Sequence, residues 1–101
     1  MLTRILIIRF SSIGDIVLTT PIIRALKQQL EGEVEIDYIT KSGYAAILES
    51  NPNLNRVITI EKSVFEQKDL LASTRYDYAV DLHNNLRSGQ VKRLVKALNF
   101  T

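Results

Sequence analysis

The chain has 101 residues, which suits one domain, and its 46% hydrophobic and 24% charged residues are typical of a globular protein rather than a disordered one. The 13 basic and 11 acidic residues leave a formal charge of +2, too small to indicate a nucleic-acid partner. The sequence has no cysteine, which excludes disulfides and thiolate chemistry.

The start of the chain does not resemble a signal peptide, because its apolar run is short and the charged residues Arg9 and Asp15 interrupt the segment after it. No uncharged run approaches the roughly 20 apolar residues that span a bilayer. We therefore expect a cytoplasmic protein.

The first elements are a strand, a tight loop and a helix. Residues 5–10 are apolar without alternation, which predicts a central strand covered on both faces. Ser11 and Ser12 supply turn hydroxyls, and Gly14 allows close approach of the backbone. Asp15 then falls in the first turn of the helix, where the helix dipole favours a carboxylate.

The periodicity becomes helical over residues 14–30, and Pro21 predicts a kink or a broken turn inside this stretch. Residues 34–39 alternate apolar and acidic side chains, which predicts a second strand less buried than the first. The remaining prediction is a short helix at 44–49, a strand at 56–60, a helix at 64–73 capped by Ser63 and Glu66, a strand at 78–82, and a last helix that starts at Asn84 or Asn85 and carries Leu86, Val91, Leu94, Val95 and Leu98.

Strands and helices thus alternate four times, which predicts an α/β fold with a parallel, Rossmann-like sheet in the order 3-2-1-4 and helices on both faces. Polar clusters follow the carboxyl ends of the first and fourth strands. Because these strands are neighbours where the strand order reverses, we expect the two clusters to share one crevice.

Two stretches resemble a known family. Residues 6–21 (LIIRFSSIGDIVLTTP) are similar to the start of the lipopolysaccharide heptosyltransferases, glycosyltransferase family 9. Residues 77–88 (DYAVDLHNNLRS) resemble that family's second strand-and-loop signature. The two motifs occur in the family's order, and the resemblance covers the chain but only the first of the family's two domains.

The resemblance implies a GT-B glycosyltransferase with its active site between two Rossmann-like halves. Residues 1–101 would be the amino-terminal, acceptor-side domain, and the carboxyl-terminal nucleotide-sugar domain would be absent. The implied donor is ADP-heptose, the implied acceptor is the lipopolysaccharide inner core with its Kdo sugars, and no cofactor is implied. We expect such a fragment to transfer nothing alone.

Asp15 is the candidate catalytic residue. From the sequence alone it is better explained as a stabilising acid in a first helical turn than as a catalytic base. The resemblance implies instead the general base of a direct, inverting displacement at the anomeric carbon, which takes a proton from the acceptor hydroxyl.

The other candidates are substrate-binding. Ser11, Ser12 and Gly14 can present hydroxyls and N–H groups to an anion, or form only a tight turn. His83 is the only histidine and lacks partners with metal-ligand spacing, so we expect a binding role rather than a metal site. The remaining candidates are Lys41, Asn84, Arg87 and Ser88, with Asp81 expected to orient the neighbouring loop through Ser11 or Ser12.

Residues 82–101 contain four basic residues and no acid, which fits phosphates, an anionic membrane surface or only a solvated helix face. Peripheral contact with the inner membrane is therefore a further expectation. If the chain ends after the fourth helix, the fourth strand would be an exposed edge, which predicts self-association through it or through the last helix.

Two other classes stay open. A receiver-type signalling domain would need an acidic pair beside the first strand, which the sequence does not have. A nucleotide-binding Rossmann domain would need a glycine fingerprint, and only Gly14 stands in the first loop.

Overall fold

A computed structural model of the chain describes residues 2–100. The strands are β1 (Leu2–Ile8), β2 (Glu33–Lys41), β3 (Arg56–Ile60), β4 (Arg75–Asp81) and β5 (Lys96–Phe100). The helices are α1 (Ile13–Leu18), α2 (Thr20–Gln29), α3 (Ala45–Glu49), α4 (Lys68–Ser73) and α5 (Leu86–Leu94), with 3₁₀ turns at Ser42–Tyr44 and Val64–Gln67. All strand pairs are parallel and the order is β3-β2-β1-β4-β5, which confirms the predicted order and adds a fifth strand.

The central strand β1 is buried on both faces over residues 5–8, as the uninterrupted apolar run there predicts. Ile5 and Ile7 belong to an apolar cluster with residues of α1, α2 and α3. Leu6 and Ile8 belong to a second cluster, on the opposite face, with residues of α4 and α5. Burial of an isoleucine or leucine side chain contributes about 1.5–3 kcal/mol, so this strand organises both halves of the core.

The predicted interruption near Pro21 is present as a break at Thr19 between α1 and α2. Pro21 lies in the first turn of α2, where its missing N–H removes no helical hydrogen bond. The buried Thr19 hydroxyl donates to the Ile16 carbonyl (2.6 Å) and lies 3.0 Å from the Tyr38 hydroxyl. These contacts hold the junction between α1 and α2 against β2.

The second strand is more buried than its acidic alternation predicted, and that prediction is wrong. The run from Ile36 to Thr40 is buried, including Asp37. Its carboxylate accepts hydrogen bonds from Asn55 (3.0 Å), Arg56 (2.9 and 3.2 Å) and the Tyr76 hydroxyl (2.6 Å). A carboxylate with such partners can be buried, so the alternation of apolar and acidic residues does not indicate exposure of this strand.

The last predicted helix is too long. The observed helix α5 ends at Leu94, and Val95 has extended backbone angles. Leu98, which was predicted to lie in the helix, lies in β5, which pairs with β4. Pairing with β4 outweighs the helix propensity of this segment. The prediction that the fourth strand is an exposed edge is therefore wrong, because β5 covers it. Self-association stays a prediction, but an exposed β4 no longer supports it. No helix described within residues 2–100 is long and apolar enough to cross a bilayer.

Candidate functional site

A pocket of about 580 Å³ opens at the carboxyl edge of the sheet, where the loops after four strands meet. It is lined by Phe10 and Ser11 after β1, Lys41 at the end of β2, Lys62 and Ser63 after β3, and His83, Asn85, Leu86, Arg87 and Gln90 after β4. These described lining residues include three permanent cations and no carboxylate, so the pocket suits an anion.

Asp15 lies in the first turn of α1, beside the pocket rather than in its lining. Its Oδ2 accepts a hydrogen bond from the Ser12 hydroxyl (2.9 Å) and pairs with Nη2 of Arg9 (2.9 Å). Hydrogen bonds from Ser12, and then the charge of Arg9, hold the pKa of the Asp15 carboxyl below its usual value. Half of the side chain is exposed, so an ionised carboxylate faces solvent next to the pocket.

Arg9 connects this carboxylate to the loop that carries His83. Its Nε donates to the Ser11 carbonyl (2.7 Å), and its Nη1 donates to the Leu82 carbonyl (2.6 Å). The two family-like motifs therefore meet through one guanidinium. Asp15, His83 and Arg87 lie at the same edge of the sheet, with Arg9 and Phe10 between the loops that carry them.

His83 is held as a neutral side chain. The Phe10 N–H donates to its Nδ1 (3.3 Å), and the two rings meet edge to face with centroids 5.6 Å apart. Burial, and then the charges of Arg9, Arg87 and Lys41, lower the pKa of His83 despite the opposing charge of Asp81. A neutral imidazole that accepts at Nδ1 carries its proton on Nε2, so it can donate to a ligand.

Asp81 was predicted to orient the neighbouring loop through Ser11 or Ser12, but it hydrogen-bonds within its own loop instead. Its Oδ1 accepts from the N–H groups of His83 (2.9 Å) and Asn84 (2.7 Å), and its Oδ2 lies 3.2 Å from Nζ of Lys92. Burial alone would raise the pKa of Asp81, but these N–H groups, the Ser88 hydroxyl and Lys92 outweigh it and lower the pKa. One of the four basic residues near the chain's end is thus used within the fold.

Asn84, Asn85 and Ser88 form the start of α5. Asn84 has a φ of 56°, a left-handed conformation that asparagine adopts more readily than most residues. The Asn85 side chain accepts from the Ser88 N–H (2.8 Å), and the Ser88 hydroxyl accepts from the Asn85 N–H (2.8 Å). Ser88 is fully buried in this cap, and Asn85 rather than Ser88 lines the pocket.

Arg87 lines the pocket, whereas Gly14 does not. The Arg87 guanidinium lies over the Phe10 ring, 5.7 Å from its centroid, and lines the pocket. Apart from Gly14, its two chain neighbours and the nearby backbone of its own helix, no described atom lies within 4 Å of where a Cβ on Gly14 would stand. Within residues 2–100, the described histidine and carboxylate side chains form no group of three that could hold a metal ion.

The sequence did not predict several residues of the site. Arg9 lies beside the pocket. The unpredicted lining residues are Phe10, Lys62, Ser63, Asn85, Leu86 and Gln90. One signal was available for Arg9, because a lone charge that ends an apolar central strand needs partners. Lys62 and Ser63 follow the third strand at the same edge, but the sequence supported only a capping role for Ser63, which the structure confirms.

No family model matches the chain. Lipopolysaccharide heptosyltransferase 1 of Campylobacter coli is 24% identical over 103 aligned residues, which span 96% of this chain and 30% of that protein. The resemblance found in the two motifs is thereby confirmed along nearly the whole chain.

Solved structures agree on the fold. Escherichia coli heptosyltransferase WaaC with ADP superimposes with a TM-score of 0.82 at 24% identity, over 96% of this chain and 35% of that one. A glycosyl transferase family 9 protein from Veillonella parvula gives 0.85 at 23% identity, over 97% and 31%. The chain therefore has the fold of about one third of these glycosyltransferases.

Proposed function

We propose that the chain is the acceptor-side portion of an inverting glycosyltransferase that moves heptose from ADP-heptose to a lipopolysaccharide inner-core acceptor. The Campylobacter coli and Escherichia coli proteins are heptosyltransferases, and one structure contains WaaC with ADP-2-deoxy-2-fluoro heptose. The donor would be bound by the part of those proteins that this chain does not cover. Such an enzyme would work in the cytoplasm, at the inner face of the inner membrane.

In the proposed reaction, an acceptor hydroxyl oxygen attacks the anomeric carbon of the heptose. The bond from that carbon to the diphosphate breaks, ADP leaves with the electron pair, and the hydroxyl proton passes to the Asp15 carboxylate. An aspartate carboxyl is ionised near neutral pH, and Ser12 and Arg9 lower the pKa of Asp15 further. Such a weak base accepts the proton as bond formation makes the attacking hydroxyl more acidic.

The observation that carries the proposal is an ionised carboxylate beside a cation-lined pocket, both at the carboxyl edge of a parallel sheet. Lys41, Lys62 and Arg87 suit the carboxylates of Kdo sugars and the phosphates of an inner core. His83 would donate from Nε2 to a sugar oxygen. The open space at Gly14 leaves room for the acceptor beside Asp15.

The proposal predicts binding of acceptor without nucleotide. We expect a Kdo disaccharide to shift the backbone NMR signals of the loops after β1, β2, β3 and β4. Lys62→Glu should weaken this binding about tenfold or more, since a charge-assisted contact contributes about 1.5–3 kcal/mol. Lys68→Glu, at an exposed position outside the pocket, is the matched control.

The same titration separates the proposal from its rivals. If ADP shifts these signals and the Kdo disaccharide does not, the chain is better described as a nucleotide-binding Rossmann domain. Equal binding by the Lys62→Glu and Lys68→Glu variants would also contradict an acceptor site in this pocket.

A further inference from the structure

We propose that Arg9 is a positioning residue that fixes the Asp15 carboxylate and locks the loop of residues 10–12 to the loop of residues 82–85. The inference rests on the proposed function, in which Asp15 takes the acceptor proton. Arg9 itself lines no described part of the pocket, so it acts through Asp15 and through the loop that carries His83.

The guanidinium uses its three nitrogens in three directions. Nε and Nη1 donate to two main-chain carbonyls, of Ser11 and Leu82, at 2.7 and 2.6 Å. Nη2 is left to meet Oδ2 of Asp15 at 2.9 Å. The planar fork of arginine can hold these fixed directions, whereas the single ammonium of lysine cannot.

The environment distinguishes this contact from an ordinary surface ion pair, which contributes little because two flexible side chains must be ordered. The Arg9 side chain is 22% exposed, and both of its carbonyl partners belong to the main chain, one after the buried end of β1 and the other directly after the half-buried end of β4. Its guanidinium is therefore already ordered, and the exposed Asp15 carboxylate meets a fixed cation.

The arrangement also reaches His83. Leu82 is held on both sides, because its N–H donates to the Ile8 carbonyl (3.0 Å) while its carbonyl accepts from Arg9. Phe10, next to Arg9, donates its N–H to His83. Removing the guanidinium should therefore loosen the register between the two loops as well as release the carboxylate.

The test is carboxyl-carbon and imidazole NMR of the ligand-free chain as wild type, Arg9→Gln and Arg9→Lys, with the exposed Arg24→Gln as control. In Arg9→Gln we expect the pKa of Asp15 to rise towards its ordinary value, and hydrogen exchange of the Phe10 and Leu82 N–H groups to quicken about tenfold or more. In Arg9→Lys the lysine charge should keep the pKa of Asp15 partly lowered. The Phe10 and Leu82 N–H groups should nevertheless exchange as fast as they do in Arg9→Gln.

An unchanged pKa of Asp15 in both Arg9 variants would overturn the proposal, as would exchange at the wild-type rate in both. If Arg9→Gln does not fold, the exchange rates in Arg9→Lys decide. These measurements need neither acceptor nor donor, so their failure is distinct from failure of acceptor binding, which would contradict the proposed function instead.

Discussion

His83 shows how one side chain takes its character from its neighbours. Its Nδ1 accepts a main-chain N–H, its ring packs against Phe10, and three cations disfavour a further positive charge. A lone histidine in a sequence is equally compatible with a base, a ligand or a core residue. The contacts favour a neutral hydrogen-bond donor, which leaves Asp15 as the candidate base at this edge.

The lowered pKa of His83 has a consequence for stability. The unfolded chain binds a proton at this residue near the ordinary value of about 6.5, while the folded chain resists it until lower pH. The stability that His83 contributes is therefore present above that ordinary value and is lost as the pH falls through the lowered pKa. We expect the urea midpoint to be lower at pH 5.5 than at pH 7.0.

Because His83 is the only histidine, the variant His83→Gln tests this directly. The variant should lose most of the difference between the two midpoints. An equal difference in wild type and variant would show that other groups cause the pH dependence.

At the scale of elements, the sequence correctly predicted the features that depend on interactions between residues close together in the chain. Ser63 and Glu66 form the predicted capping box, and the helical break near Pro21 is present. The prediction of a helix in the last segment is wrong because residues 96–100 form a strand by pairing with β4, a contact between distant parts of the chain. The prediction that β2 is less buried than β1 is wrong for a similar reason, since the partners of Asp37 come from β3, from the loop before β3 and from β4.

The start of α5 depends on its own cap, which the sequence located only to within one residue. Asn85→Ala removes the acceptor for the Ser88 N–H and should lower the free energy of unfolding by about 1 kcal/mol. Urea denaturation measures this, with Gln28→Ala at an exposed position of α2 as control. A loss no larger than in the control would mean that the cap contributes nothing measurable.

At the scale of the whole molecule, the topology decides which residues form the site. The predicted strand order brought Ser11, Lys41, His83 and Arg87 to one pocket, because parallel strands end at a common edge. The sequence could not predict Lys62 or Phe10 there, since loop length and side-chain direction place them. Nor could it predict that Ser88 turns inward, or that Asp15 reaches the other loop through Arg9.

The central claim is that this chain supplies the acceptor site and the base for heptose transfer. The direct measurement replaces the matching third of Escherichia coli WaaC with this chain and assays transfer from ADP-heptose, using ADP binding to verify folding. We expect transfer, and a loss of kcat of about 10²–10⁴-fold in Asp15→Asn but not in the exposed control Asp69→Asn. A folded chimera that transfers nothing, or one whose Asp15→Asn variant keeps full activity, would contradict the claim.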